Sequence, residues 1–132
     1  MATDKLFIIR MSEEPIVAPT PAFAEGEGAE VQFLGTVRGE EEGLPITGIE
    51  YSAYAPMADK MFTELAERGQ LEYGAHHVEI QHRLGFVAAC EPSICIRVKT
   101  KHSAEGFEIC RWYLKEIKKH VPIWKKPIFH IG

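Results

Sequence analysis

Most of the short motifs by which enzymes are recognised are missing from this sequence. Its 132 residues contain no GxGxxG, GxxxxGKS/T, HExxH or GxSxG pattern, which argues against the commonest nucleotide-binding, zinc-protease and serine-hydrolase families. Cysteine is scarce, and Cys90, Cys95 and Cys110 have no CxxC spacing. We therefore predict neither a disulfide framework nor a metal site, and we expect the three thiols to pack as small buried hydrophobic side chains.

Long apolar runs are also missing. No window approaches the roughly 18 consecutive apolar residues of a membrane span. The start, MATDKLFIIRMSEEP, has no basic head followed by a long apolar stretch. A length of 132 residues, with 45% hydrophobic and 26% charged residues, is typical of one globular domain. We therefore expect a single domain over residues 1–132, located in the cytoplasm and without membrane contact.

The net charge of −4 is unevenly distributed along the chain. Acids outnumber bases up to residue 96, whereas residues 97–132 hold nine lysines and arginines against three glutamates. Four of those lysines lie in KKHVPIWKK, residues 118–126. A local basic region on an acidic protein favours a site for a small anion or an acidic protein surface over a face that coats nucleic acid. For any single lysine, the alternative is a solvated helix end stabilised by the helix dipole.

The hydrophobic pattern predicts an α+β fold with a mainly antiparallel sheet. Alternating apolar positions indicate strands at residues 6–9, 31–37, 49–53, 78–84 and 94–98. The order of strands, helix, strands, helix favours α+β over a doubly wound fold. The Gly-, Pro- and Glu-rich segment at residues 38–48 is typical of a mobile loop, either a lid or a spacer.

Two principal helices are predicted, at residues 56–68 and 103–119. The second has Ser103 as its expected N-cap and an apolar stripe that includes Phe107. Pro122 is expected to end it, because proline disfavours helical geometry in the preceding residue. His76 and His77, adjacent in a predicted loop, are interpreted as exposed polar residues.

Four basic side chains could form an anion site. Arg38 ends a predicted strand, His102 lies where a strand meets a helix, and Lys118 and Lys125 flank a Pro-Ile-Trp turn. Arginine can bind a phosphate or carboxylate through two hydrogen bonds, and a partly buried lysine can act as a proton donor, base or nucleophile. The alternatives are that His102 caps or packs the helix and that Arg38 pairs with residues 40–42. Spacing alone indicates a small α+β anion-binding protein.

Five segments of the sequence, in their order and spacing, resemble one family. They are GAEVQFLGTVRG (28–39), YSAYAPMADKM (51–61), HRLG (82–85), VKTKHSAEGF (98–107) and LKEIKKHVPIWKK (114–126). The family is MoaE, the large catalytic subunit of molybdopterin synthase. The resemblance implies an α/β hammerhead-type fold and conversion of cyclic pyranopterin monophosphate to molybdopterin by two sulfur transfers.

The same resemblance implies the partners. A small ubiquitin-like sulfur carrier would insert its C-terminal Gly-Gly thiocarboxylate into a pocket of the large subunit. Two large subunits would form a dimer within a heterotetramer. The sulfur arrives on the carrier, so no metal or organic cofactor is expected in this step, and no nucleic acid is involved.

Site residues are implied by the resemblance position by position. The catalytic lysine beside the thiocarboxylate corresponds to Lys118, and the lysine of the WK pair corresponds to Lys125. The substrate-binding arginine and histidine correspond to Arg38 and His102. Lys118 would orient the thiocarboxylate and move a proton, and Lys125 would bind or protonate the substrate as the cyclic phosphate opens.

The sequence departs from the family pattern beside His102. Ser103 stands where the family usually has arginine, so one side chain that would bind the anion is missing. We assign Ser103 and Lys101 as further substrate-binding residues. The alternative is that the dimer partner supplies the missing side chain. Phe33, Pro122 and Trp124 are expected to form the pocket wall.

Two other functions remain open at this point. One is a divergent, non-catalytic paralogue that binds a ubiquitin-like carrier tail without processing the pterin. The other is an anion-binding domain unrelated to molybdenum. A further departure from the family pattern is Cys90, which stands in place of a turn glycine.

Overall fold

The computed structural model describes residues 6–17 and 22–131. Over these residues eight strands and two helices follow one another along the chain. They are β1 (Phe7–Ser12), β2 (Ala29–Thr36), β3 (Glu40–Glu41), β4 (Leu44–Ala53), α1 (Ala55–Tyr73), β5 (His77–Arg83), β6 (Gly85–Ala88), β7 (Pro92–Thr100), α2 (Ser103–His120) and β8 (Ile123–Phe129).

The larger sheet has the strand order β1-β5-β7-β2. Strand β1 pairs with β5 in parallel, and the other two pairings are antiparallel. Both helices pack against this sheet and bury a core that includes Phe62, Ile80, Ile96 and Tyr113. The apolar stripes of the helices and the inward-facing half of each strand are thus removed from water together, which is the main stabilising contribution of the fold.

A smaller sheet consists of β3, β4 and β6, with β8 on the other side of β4. It encloses a second, smaller core that includes Ile46, Ile49, Tyr51 and Val87. Strand β4 is central because it pairs with both β6 and β8, so its alternate side chains define the inner and outer faces of this sheet.

The predicted α+β architecture with mainly antiparallel pairing is confirmed, and all five predicted strands are present. The prediction of a loop at residues 38–48 was wrong. That segment forms the β3–β4 hairpin, whose turn is made by Glu42 and Gly43, both with positive φ. Strand β8 was not predicted, because its lysines and Pro127 interrupt the alternation of apolar and polar residues. The strand lies at an edge of the smaller sheet, where proline is tolerated.

The predicted helices are present, with corrections at their ends and on their faces. The N-cap of α2 is His102 instead of Ser103, and the Glu105 carboxylate accepts a hydrogen bond from the His102 backbone N–H at 3.0 Å. Phe107 is not part of the buried stripe, since 65% of its surface is exposed. Neither helix of the described residues is long and apolar enough to cross a membrane.

The interpretation of His76 and His77 as exposed loop residues was also wrong. His76 is buried, and its Nε2 lies 2.8 Å from the Tyr113 hydroxyl. His77 begins β5 and pairs with Glu27. Among the cysteines, Cys95 and Cys110 are buried as predicted, but Cys90 is exposed.

Candidate active site

A cavity of about 550 Å³ opens where the two sheets meet the C-terminal end of α2; we call it the α2 cavity. Its walls come from the ends of β2, β5 and β7, from the inner face of the smaller sheet, and from the last turns of α2. The lining residues are Phe33, Leu34, Gly35, Thr36, Arg38, Tyr51, His82, Ser93, Ile94, Leu114, Ile117, Lys118, Val121, Ile123 and Lys125.

Three of the four basic residues predicted from the sequence meet at this cavity. Arg38 follows β2, Lys118 lies in the last turn of α2, and Lys125 lies on β8. Within residues 6–17 and 22–131, none of the three forms an ion pair. The alternative that Arg38 pairs with residues 40–42 is therefore not observed. Three basic groups without carboxylate partners make the α2 cavity suited to an anionic ligand.

The turn after α2 brings the two lysines to one cavity. The helix ends with a hydrogen bond of 3.1 Å from the Val121 N–H to the Ile117 carbonyl. Pro122 follows at the point where the chain leaves helical geometry, and β8 begins at Ile123. Both Val121 and Ile123 line the cavity, whereas Pro122 does not.

Trp124 also lies outside the cavity, which corrects its assignment as pocket wall. Side chains alternate along a strand, so the neighbours of Lys125 face the opposite side of the sheet. Trp124 is paired with Ser52 on the outer face, and 59% of its surface is exposed. Lys125 is paired with Tyr51 on the cavity side. Of the three predicted wall residues, Phe33 alone lines the cavity.

His102, Ser103 and Lys101 lie at the opposite end of α2 from Lys118. The helix spans residues 103–120, and at about 1.5 Å of rise per residue its two ends are about 25 Å apart. All three residues are exposed, and none lines the α2 cavity. Their substrate-binding role stays a prediction, and within one chain they do not meet the three basic residues of the cavity.

Two of the cavity residues that sequence reasoning missed are His82 and Tyr51. Their rings pack edge to face with centroids 5.1 Å apart. His82 is 8% exposed, and its Nδ1 lies 2.7 Å from the Arg83 carbonyl. Burial lowers the pKa of His82, and the hydrogen bond to that carbonyl opposes the shift without cancelling it. The available signal was the position of His82 on the inward face of a predicted strand, in the HRLG segment.

A second cavity, of about 310 Å³ beside β1, is lined by Lys99, which donates to the Ala22 carbonyl, and by two basic residues that are already paired with carboxylates. Arg97 contacts Glu30 at 2.7 Å and Glu79 at 3.5 Å, and His77 pairs with Glu27. An anion there would compete with carboxylates for the same groups, so the α2 cavity is the better anion site. The described residues include no group of three or more His, Cys, Asp or Glu side chains that could hold a metal ion.

Comparison with curated proteins identifies molybdopterin synthase catalytic subunits as relatives of this chain. The family described as MoaE protein matches residues 11–120. The molybdopterin synthase catalytic subunit of Thermoplasma volcanium is 37% identical over 105 residues, which cover 80% of this chain and 77% of the relative. That of Arabidopsis thaliana is 35% identical over 105 residues. The chain spans about half of this plant relative, 53% of its length.

Solved structures give the same result and confirm the predicted MoaE-like fold. Molybdopterin synthase from Staphylococcus aureus matches with a TM-score of 0.84 and 30% identity, covering 98% of this chain and 96% of the other. A complex of subunits 1 and 2 of molybdopterin-converting factor from Helicobacter pylori matches with a TM-score of 0.68 over 95% of this chain and 90% of the other. At 18% identity, that second likeness concerns the fold alone. The length of the family match and the identity to its members establish that this chain belongs to the MoaE family.

Proposed function

We propose that this chain is the catalytic subunit of a molybdopterin synthase, converting cyclic pyranopterin monophosphate to molybdopterin with two sulfurs from a thiocarboxylated carrier. The observation that carries the proposal is the convergence of Arg38, Lys118 and Lys125, without ion-pair partners among the described residues, on one cavity. Both reactants are anions, so the same three groups attract the substrate and the carrier tail.

Each basic group has a different part in the reaction. Arg38 has the planar donor arrangement that binds a phosphate through two hydrogen bonds. Lys118, in the last turn of α2, orients the thiocarboxylate and stabilises charge that develops during sulfur transfer. Lys125, held on the inner face of the smaller sheet, binds the pterin and donates a proton as its cyclic phosphate opens.

The partner is a small ubiquitin-like subunit whose C-terminal Gly-Gly thiocarboxylate enters the α2 cavity. The cavity is open to the surface, and its wall of Phe33, Ile94 and Ile117 can pack against an extended tail. The Helicobacter pylori neighbour, described as a complex of two subunits, supports such a pairing.

A homodimer of this chain within a heterotetramer would account for His102. That residue is exposed about 25 Å from Lys118 along α2, so it can reach a cavity of this kind only on another copy. In a dimer, His102 of the partner subunit would bind the substrate together with Arg38, and Lys101 and Ser103 of that copy would lie beside it. The cytoplasmic location and the single-domain organisation remain predictions.

A turnover assay tests the proposed function. The purified chain, the thiocarboxylated carrier and cyclic pyranopterin monophosphate are combined, and the dithiolene product is measured. We expect product from the unchanged chain and a loss of at least 100-fold with Lys118→Ala. Lys119→Ala is the matched control, because Lys119 is exposed, does not line the cavity and lies 4.0 Å from Glu116.

Three results would contradict the proposal in different ways. Near-normal turnover by Lys118→Ala would show that Lys118 has no part in the reaction. Carrier binding without any product from the unchanged chain would support the non-catalytic carrier-binding paralogue. Failure to bind any Gly-Gly-ended carrier would support an anion-binding domain unrelated to molybdenum.

A further inference from the structure

His82 is a buried, titratable side chain in the α2 cavity that the proposed roles of the basic residues leave unused. It lies near the end of β5, directly opposite Ile94 of β7, and both residues line the cavity. Only 8% of its surface is exposed. A histidine buried at the wall of a reaction cavity is a candidate for proton transfer, and its hydrogen bonds decide which nitrogen is available.

Those hydrogen bonds determine the tautomer of His82. Its Nδ1 lies 2.7 Å from the backbone carbonyl of Arg83. A carbonyl oxygen can only accept, so Nδ1 carries the hydrogen and Nε2 carries the lone pair of the neutral ring. Among the described residues Nε2 has no hydrogen-bond partner. In the part of the chain that the structure describes, the enclosed side-chain nitrogens without a partner are Nε of Arg83 and Nε of Arg97. Nε2 of His82 is not among them.

The surroundings of the ring favour this neutral form. Tyr51 packs edge to face against it from β4, with ring centroids 5.1 Å apart, and lies directly opposite Lys125 of β8. The other charged groups that share the cavity are Arg38 and Lys118. Burial lowers the pKa of His82, and the hydrogen bond from its Nδ1 to the Arg83 carbonyl opposes that shift without cancelling it. An imidazole kept neutral, with its free lone pair accessible, is suited to accept a proton.

The sulfur transfer needs such a base. Under the proposed function, on which this inference rests, the carrier enters with its terminal acyl carbon bonded to sulfur. When that sulfur bonds to a pterin carbon, a carbon–oxygen bond of the same carbon breaks and the leaving oxygen takes a proton. The acyl carbon is still attached to the sulfur, as a thioester. Release of the carrier then requires water, whose oxygen replaces the sulfur on the acyl carbon. Lysine and arginine side chains supply hydrogen-bond donors for this step, whereas the attacking water requires an acceptor for its proton.

We propose that His82 is the general base that activates this water. Its Nε2 accepts a proton as the water oxygen bonds to the acyl carbon. The carbon–sulfur bond breaks, its electron pair stays on sulfur, and His82 returns the proton to that sulfur. Thioester and water give a carboxylic acid on the carrier and a thiol on the pterin, so the step needs no oxidant or reductant.

The experiment compares His82→Asn with the unchanged chain in the complete assay. Asparagine can keep the hydrogen bond to the Arg83 carbonyl through its amide group but has no counterpart of Nε2. We expect product formation to fall about 10²- to 10⁴-fold, the usual contribution of general acid–base catalysis. The covalent carrier–pterin thioester should accumulate, and mass spectrometry of the quenched reaction would detect it.

His76→Asn is the matched control, because His76 is also a buried histidine whose pKa is lowered by burial, and it does not line the α2 cavity. We expect it to reduce stability while leaving the rate of thioester release within threefold of the unchanged chain. In the unchanged chain that rate should fall only at a pH lower than the ordinary histidine value of about 6.5, because burial lowers the pKa of His82 and only the protonated imidazole cannot accept the proton. His82→Asn should lack this dependence.

Several outcomes would overturn the proposal. The first is turnover by His82→Asn within threefold of the unchanged chain. The second is that the carrier–pterin thioester does not accumulate with His82→Asn. The third is a rate of thioester release by His82→Asn that falls at low pH as much as that of the unchanged chain. If His82→Asn does not fold, His82→Gln is measured in its place. A rate for the unchanged chain that does not fall at low pH would also overturn it, whichever variant folds. If the unchanged chain forms no product at all, the proposed function fails and this inference fails with it.

Discussion

Lys125 lies directly opposite Tyr51 in the antiparallel pair of β4 and β8, so both side chains face the α2 cavity. The residues on either side of Lys125 face away from it. Trp124 is opposite Ser52, and Lys126 is opposite Glu50, on the outer face of the smaller sheet. Strand alternation therefore gives two adjacent lysines different surroundings, which composition and charge counts could not distinguish.

This difference predicts opposite results for the two lysines. Lys125→Ala should reduce product formation in the complete assay by at least 100-fold, because it removes a proton donor and a positive charge from the cavity. Lys126→Ala should remain within threefold of the unchanged chain, since its side chain is on the outer face. Thermal unfolding should be similar for both variants. Equal loss of turnover would mean that the register of β8 does not select the functional lysine.

Replacing Cys90 with glycine should stabilise the protein. Cys90 has a φ of 75°, in the left-handed region that costs an L-residue about 1–2 kcal/mol and glycine almost nothing. We expect Cys90→Gly to raise the free energy of unfolding by up to about 1 kcal/mol, because glycine's greater freedom in the unfolded chain offsets part of the gain. Denaturant titration measures the change. Cys90→Ala is the control, since it removes the thiol but keeps Cβ, and it should give no gain.

Gly69 is required where α1 approaches α2. A Cβ at this position would overlap the Tyr113 hydroxyl, which is held by the hydrogen bond to His76. Gly69→Ala should therefore destabilise the protein by about 1–3 kcal/mol, although alanine is the better helix former. In a Tyr113→Phe background the cost should be smaller by at least 0.5 kcal/mol or so, because one of the overlapping atoms is gone. An unchanged or higher midpoint of urea unfolding for Gly69→Ala would contradict this prediction.

Stability should fall as the pH drops from 7.5 to 5.5. Burial lowers the folded-state pKa of both His76 and His82 below the ordinary value of about 6.5, so between the folded and ordinary values the unfolded chain binds more protons. Each histidine thus favours unfolding as the pH falls through this window. Glu27 and Glu116 have lowered pKa values and lose their stabilising contributions only at a lower pH, below about 4.5.

Thermal unfolding at the two pH values measures this effect. His76→Asn should be less stable than the unchanged chain at pH 7.5, because it loses the hydrogen bond to Tyr113, which is worth about 1 kcal/mol. Its stability should nevertheless depend less on pH between 7.5 and 5.5. An equal loss of stability in both proteins would show that His76 is not responsible.

The sequence alone determined the class of the fold and the family. Period-two apolar alternation specified the strands of the larger sheet, and the apolar stripe with the PIWKK segment specified α2 and the turn that ends it. Those signals are local, since each depends on residues a few positions apart. Arg38, Lys118 and Lys125 were therefore recognisable as candidates from the residue pattern by itself.

Tertiary structure decided which candidates meet. Strand β8 was recognisable only once β4 was there to pair with it, and its register turned Lys125 inward and Trp124 outward. The length of α2 separated His102 from Lys118, although both lie in segments that resemble the family. His82 became a candidate general base because it is buried and because the Arg83 carbonyl orients its ring. Pairing, separation and burial depend on residues far apart in the chain, and local patterns contain no measure of those distances.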